Sequence, residues 1–249
     1  MKILSIGNSF SQDAHKWLSQ VAGSSGDEIQ AVNLFIGSCY LEKHWNNFLS
    51  QAPVYDMEVN GDFVKKTAID TILRAQPWDV ITFQQASPQC GDYRTYQPYL
   101  TDLYREAKAL CPNAKFYIHQ TWSYESDCTR PAFDNYGRSQ RVMYQQLREA
   151  YRMAADSIGA PLIPVGDVIQ YLREKVPEFD CAGGGLPLTR DGFHLSELYG
   201  RYAAALTWYG VLTGKDVRCT GFVPSANGEQ ADENLLKKIN EAVYSVLYS

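Results

Sequence analysis

Lys2-Ile3-Leu4-Ser5-Ile6-Gly7-Asn8-Ser9-Phe10 is the stretch on which the reading of this chain turns. Ile3, Leu4 and Ile6 form an apolar run of strand length that stops at Gly7-Asn8-Ser9. A polar stretch then opens a helical pattern, with Ser11 placed to cap it and Asp13 in its first turn. A strand that turns sharply into a helix lifts the turn residue's side chain to the carboxyl end of a sheet. Free helical N–H groups sit beside it, where an oxyanion can be stabilised. Ser9 is therefore a candidate nucleophile. Alone, Gly-Asn-Ser is more often no more than a turn. Its weight comes from Asp191-Gly192-Phe193-His194 near the other end of the chain.

Outward from this stretch, strands and helices alternate. A helix pattern over 12–22 carries Trp17, Leu18 and Val21 and ends at Gly23-Ser24-Ser25-Gly26. Strand-like runs follow at 29–35, 78–83, 114–119 and 161–165, ending respectively near Gly37, Gln84-Gln85, Gln120-Thr121-Trp122 and Val165. Residues 57–64 read as a hairpin, because Asn60-Gly61 suits a two-residue turn with positive φ. Helices are expected at 40–51, 68–75, 99–110, 139–158, 168–176, 196–212 and 233–247. No repeat, low-complexity tract or linker divides the 249 residues. The expectation is one α/β domain spanning 1–249, with a mainly parallel five-stranded sheet covered on both faces. Ligands of such a sheet bind at the carboxyl ends of its strands.

Composition narrows the function. A net charge of −5 and a pI near 5.4 argue against nucleic-acid partners, which need basic surface to neutralise phosphates. No run approaches the ~20 apolar residues needed to span a bilayer. One lysine and a short apolar run before Gly7 are too little for a signal peptide, so the chain reads as cytoplasmic, or exported if a leader has been trimmed. Six cysteines stand without CxxC or Cys/His metal spacing and read mostly as small buried residues, Cys128 and Cys181 lying in loops. Neither a metal nor an organic cofactor is expected, since no ligand cluster or phosphate-cradling glycine loop occurs. Oligomeric state is not readable.

At the strand ends the sequence gathers a serine, two glutamines and an Asp-x-x-His. Serine activation needs a base within hydrogen-bond reach, and the base needs an acceptor that fixes its tautomer. Asp-x-x-His can supply both, His194 turned toward Ser9 and Asp191 holding the other ring nitrogen. His15 and His44 lie in helical patterns and His119 in an apolar strand.

Gly7-Asn8-Ser9-Phe10 and Asp191-Gly192-Phe193-His194-Leu195 resemble the first and last sequence blocks of the SGNH (GDSL-type) hydrolases. The Gly-Asn-Ser-Phe variant looks most like an uncharacterised SGNH-like branch. The resemblance implies a flavodoxin-like three-layer α/β/α sandwich and esterase chemistry. Ser9 would be nucleophile, His194 base and Asp191 its orienter, with the Ser9 and Gly37 N–H groups in the oxyanion hole. The third block departs from the family. Where its members end strand three with Gly-x-Asn-Asp, this chain has Phe83-Gln84-Gln85-Ala86-Ser87-Pro88. A strand-end glutamine followed by a serine resembles the Gln-Gly-Glu-Ser block of sialate and acetyl-xylan esterases, where a glutamine amide is the donor. Gln84 is the first choice for that role and Gln85 the second, one residue of register deciding between them. Trp122 and Tyr124 are expected at the substrate edge of the site. The implied substrate is an ester, an O-acyl group on a carbohydrate. The alternatives are a non-catalytic carbohydrate-binding protein of the same fold and an acyltransferase.

Overall fold

The computed structural model describes residues 1–248. Its sheet is built from β1 (Lys2–Gly7), β2 (Gln30–Phe35), β3 (Tyr55–Val59), β4 (Asp62–Thr67), β5 (Val80–Phe83), β6 (Lys115–His119) and β7 (Leu162–Ile163), in the order β4-β3-β2-β1-β5-β6-β7. The five strands β2, β1, β5, β6 and β7 run parallel, and near-continuous apolar runs make them buried on both faces. This part is the expected five-stranded sheet. The strand count rises to seven because the hairpin pairs with it, β3 running antiparallel to β2 with Val32 opposite Val59. Asn60 (φ 53°) and Gly61 (φ 90°) both take the left-handed turn conformation the Asn-Gly pair predicts. The outermost strand, β4, is exposed over Asp62–Lys66 and carries two lysines, which suits an unpaired edge.

Among the described residues nine α-helices accompany the sheet, α1 (Ser9–His15), α2 (Leu18–Ser24), α3 (Leu41–Leu49), α4 (Ile69–Ala75), α5 (Tyr99–Leu110), α6 (Gln140–Ile158), α7 (Val165–Lys175), α8 (Tyr199–Thr213) and α9 (Glu233–Tyr248), together with five short 3-10 helices and a separate two-stranded ribbon, Ser225–Ala226 with Glu229–Gln230. The helices α1, α2, α7 and α9 all pack on α8, while α3, α4, α5 and α6 pack in succession. The helix expected over 12–22 is two helices. Trp17 leaves helical geometry (φ −112°, ψ 4°) and its indole donates to the Glu197 carbonyl at 2.8 Å.

α8 is apolar nearly all round and buried from Gly200 to Gly210. A helix of that kind belongs in the interior, and here it forms the spine of its layer. Among the described residues no helix is long and apolar enough to cross a membrane.

The parallel register sets the position of the site. Gly7 lies opposite Phe35 and Ile6 opposite Phe83, so the turns after β1, β2, β5 and β6 leave the same edge of the sheet. Strand order reverses at β1, the place where doubly wound sheets open a crevice.

Candidate active site

The turn after β1 is fixed by its own small residues. Asn8, not Ser11, caps α1: its Oδ1 accepts the Phe10 N–H at 3.0 Å. Ser11 sits one turn in and its Oγ accepts the Asn8 N–H at 3.1 Å, closing a reciprocal capping box. The Ser11 hydroxyl thereby folds over Gly7, where a Cβ would stand 2.1 Å from its Oγ. Position 7 must therefore be glycine for this cap to form. Ser9 is left as the first helical residue, half-buried, with no intrahelical acceptor for its own N–H.

The candidate base comes from 185 residues further along the chain. His194 Nε2 lies 2.9 Å from Ser9 Oγ, and His194 Nδ1 lies 2.7 Å from Asp191 Oδ2. With a carboxylate at Nδ1, that nitrogen carries the proton and Nε2 accepts from the serine hydroxyl. Burial pushes the Asp191 carboxyl up, but the hydrogen bonds from the His194 N–H, the imidazole and the Phe193 N–H outweigh it and hold it below the ordinary value. Asp191 thus stays an acceptor. Gly192 (φ 84°) makes the turn, and a Cβ there would press to 3.1 Å from Cys128.

Residues that sequence reading did not single out hold this loop in place. Asp13, fully buried on α1 four residues beyond Ser9, accepts the Leu195 N–H at 2.8 Å and binds Arg190 at 3.0 Å and Arg201 at 2.8 Å. Helix α1 and the loop that carries His194 are thereby clamped through one carboxylate. On the other side the Glu125 N–H donates to the Gly192 carbonyl at 2.7 Å, and buried Glu125 pairs with Arg173 at 2.8 Å. The sequence reading placed Asp13 in the first turn of a helix capped by Ser11; with Asn8 as the cap it stands one turn further in, and its partners lie too far along the chain to have been read.

Trp122 and Tyr124 require correction as substrate contacts, since both are 0 % exposed. Trp122 stacks on Phe10 at 4.3 Å and donates from Nε1 to the Phe193 carbonyl at 2.7 Å. Tyr124 meets Ser87 through its hydroxyl at 2.9 Å and the Phe193 ring edge-on at 6.0 Å. Apolar side chains at the end of β6 do better under the base loop than in water, and they support it from below.

The two glutamines separate cleanly. Gln85 spends its amide on structure: Nε2 donates to the Thr95 carbonyl (2.9 Å) and hydroxyl (3.0 Å), and Oε1 accepts from the N–H groups of Leu41 and Ala86. Gln84 borders the nucleophile turn, with Nε2 donating to Asn8 Oδ1 at 2.7 Å and Oε1 lying 2.6 Å from His119 Nδ1. Backbone groups fix the orientations in sequence. Asn8 must present Oδ1 to the Phe10 N–H, and its Nδ2 donates to the Cys39 carbonyl. Gln84 must then present its amide hydrogens to Asn8 and its oxygen to His119, so His119 carries its proton on Nδ1. The bonds described use one of the two Gln84 amide hydrogens. Gly37 lies exposed in the turn after β2, which the Asn8–Cys39 bond ties to the nucleophile turn. Among the described residues no group of three His, Cys, Asp or Glu side chains could hold a metal ion.

The family described as Domain of unknown function (DUF4886) matches residues 2–242. No curated protein matches the chain. Among solved structures, a DUF4886 family protein from Bacteroides uniformis is 33% identical, with a TM-score of 0.90 over 100% of this chain and 95% of that one. A protein from Slackia heliotrinireducens, itself assigned as an SGNH hydrolase by inference, is 24% identical with a TM-score of 0.59, over 85% and 98% of the two chains. Axe2, an acetylxylan esterase from Geobacillus stearothermophilus, is 15% identical with a TM-score of 0.51, over 89% and 94%. The last two likenesses are of fold, and the fold shared is that of the SGNH hydrolases.

Proposed function

This chain belongs to the DUF4886 family, and from that premise we propose that it is a serine esterase of SGNH type. The observation that carries the reading is the chain of contacts Ser9 Oγ–His194 Nε2–Asp191 Oδ2, at 2.9 and 2.7 Å, on the carboxyl edge of a parallel sheet. Ser9 Oγ attacks the ester carbonyl while His194 Nε2 takes its proton, and the Asp191 carboxylate stabilises the imidazolium that forms. The tetrahedral oxygen accepts from the Ser9 and Gly37 N–H groups and from the unused amide hydrogen of Gln84. Collapse expels the alcohol, protonated by His194, and leaves an acyl-serine. Water then attacks that ester with His194 again as base, releasing the acid. The substrate we propose is an O-acyl group on a carbohydrate, in keeping with the acetylxylan esterase among the structural neighbours.

A fluorophosphonate probe tests the nucleophile directly. One adduct is expected, on Ser9, and p-nitrophenyl acetate turnover should fall by up to ~10⁶ in kcat for Ser9→Ala with the fold intact. An adduct on Ser11 would move the nucleophile. No adduct and no turnover would replace the esterase with a carbohydrate-binding protein of the same fold. Acylated sugar formed in the presence of a sugar acceptor would make the reaction transfer rather than hydrolysis.

A further inference from the structure

The loop that leaves β6 passes beside the base, and Arg130 stands on it just before the 3-10 turn Pro131–Tyr136. Its guanidinium carbon lies 3.9 Å from the centre of the Phe193 ring, and that ring lies 3.9 Å from the imidazole of His194. Two such steps separate the cation from the proposed base. Phe193 is a firm platform: its carbonyl accepts from Trp122, its N–H donates to Asp191 and its ring meets buried Tyr124. A guanidinium on an aromatic face keeps its N–H fork turned outward for a planar anion.

What the cation lacks is an anion. Among the described residues nine arginines lie within 4.0 Å of a carboxylate, and Arg130 is not one of them. Arg138, just beyond the same loop, is held by Asp134 at 2.6 Å. Arg190, beside the loop that carries His194, is held by Asp13. Arg130 is also half-buried, so part of its water has been given up with no carboxylate in exchange. On a chain of net charge −5 an unpaired guanidinium beside the base is a local exception to the prevailing sign.

We propose that Arg130, stacked on Phe193, is the anion subsite of this active site, and that the substrate is an ester bearing a carboxylate or similar oxyanion beyond its scissile carbonyl. For a carbohydrate ester this means an acidic sugar. The inference rests on the serine-esterase reading, so its test separates the two.

4-Acetoxybenzoate and its methyl ester carry the same scissile acetyl group and differ in one negative charge. The ratio of their kcat/KM values, compared between protein variants, cancels their different leaving groups. A charge-assisted pair is strong enough that Arg130→Gln should lower the anion-to-neutral ratio about tenfold. Arg130→Lys, which keeps the charge and loses the fork, should lower it less. Added salt should shrink the ratio in the wild type more than in Arg130→Gln. An equal loss on both esters would make Arg130 a clamp on Phe193 and overturn the proposal, as would no change in the ratio. A binding measurement decides the matter where neither ester turns over. Ser9→Ala protein titrated with 4-acetoxybenzoate should show a saturable shift of the Arg130 Nε–H resonance that the methyl ester does not produce. Absence of that anion-specific shift overturns the subsite, whereas absence of fluorophosphonate labelling at Ser9 overturns the esterase.

Discussion

At the scale of single residues, the distinction between Gln84 and Gln85 decides what the third block does. Both are buried, and both would satisfy a motif that asks only for a glutamine at the end of the strand. Gln85 has its donors and acceptors engaged by Thr95, Leu41 and Ala86, so it joins α3 to the loop after β5. Gln84 touches the nucleophile turn and keeps an amide hydrogen. A donor to a charge that exists only in the transition state affects kcat and not binding. Gln84→Ala should therefore lower kcat by ~10²–10³ with KM nearly constant. Gln85→Ala should instead leave buried partners unsatisfied, costing ~1–3 kcal/mol each, and show itself in urea unfolding more than in kinetics. If both substitutions left kcat unaltered in an active enzyme, the third donor would lie elsewhere. Ser9 and the pair of candidate glutamines were legible in the sequence because each sits at the end of a strand whose apolar run announces it, whereas Asp191 and His194 were read from their Asp-x-x-His spacing and the resemblance it carries. Which glutamine faces Asn8 was not, because it depends on how Asn8 is oriented by backbone groups from two other segments.

At the scale of elements, catalysis in this reading depends on two segments held at fixed separation, α1 with Ser9 and the loop with His194. Asp13 is the tie. Its oxygens take the Leu195 N–H, adjacent to His194, together with Arg190 and Arg201, and the carboxylate itself is fully buried. Removing one partner of a buried ion pair leaves the other charged and unpaired, which typically costs ~3–5 kcal/mol. Asp13→Ala should lose less than that in urea titration, because Glu197 still pairs with Arg201 and lies 3.9 Å from Arg190, and should lose kcat as well, since a base displaced by an ångström can no longer take the serine proton in line. Wild-type kcat in a destabilised Asp13→Ala protein would show that Trp122 and Glu125 hold the loop unaided. A clamp of this kind is invisible to periodicity. Asp13 reads as an ordinary acid near a helix start, and nothing in the sequence marks Arg190 or Arg201 as its partners, until the fold brings positions so far apart in sequence together. Trp122 and Tyr124 show the converse error. Aromatics at a strand end resemble a ligand platform, yet burial gains more from placing them beneath the base loop.

At the scale of the whole molecule, the parallel five-stranded core follows from buried apolar runs separated by helices, whereas the attachment of the hairpin to β2 does not. Its strands alternate weakly and carry charge, and the partner of an antiparallel edge is chosen by geometry along the sheet. The same burial that builds the core has a measurable consequence for acid stability. Three of the four histidines, His15, His44 and His119, are buried, and desolvation pushes each down to about 3. In the unfolded chain each takes a proton near the ordinary value of ~6.5. Between about pH 6.5 and pH 3 the unfolded state therefore binds more protons than the native one, and stability falls as pH falls through that window. Each histidine contributes a slope of ~1.4 kcal/mol per pH unit once its unfolded form is protonated, so three together give ~4 kcal/mol per unit. Unfolding free energies from urea titration at pH 7, 6, 5 and 4.5 should show this steep decline. His44→Asn, which removes one titrating ring away from Ser9, should reduce the slope by about a third whatever it does to stability at pH 7. A flat profile from pH 6.5 to 4.5 would mean that these imidazoles take up protons inside the native fold, His119 then carrying a proton on Nε2 as well as the one its Nδ1 gives to Gln84.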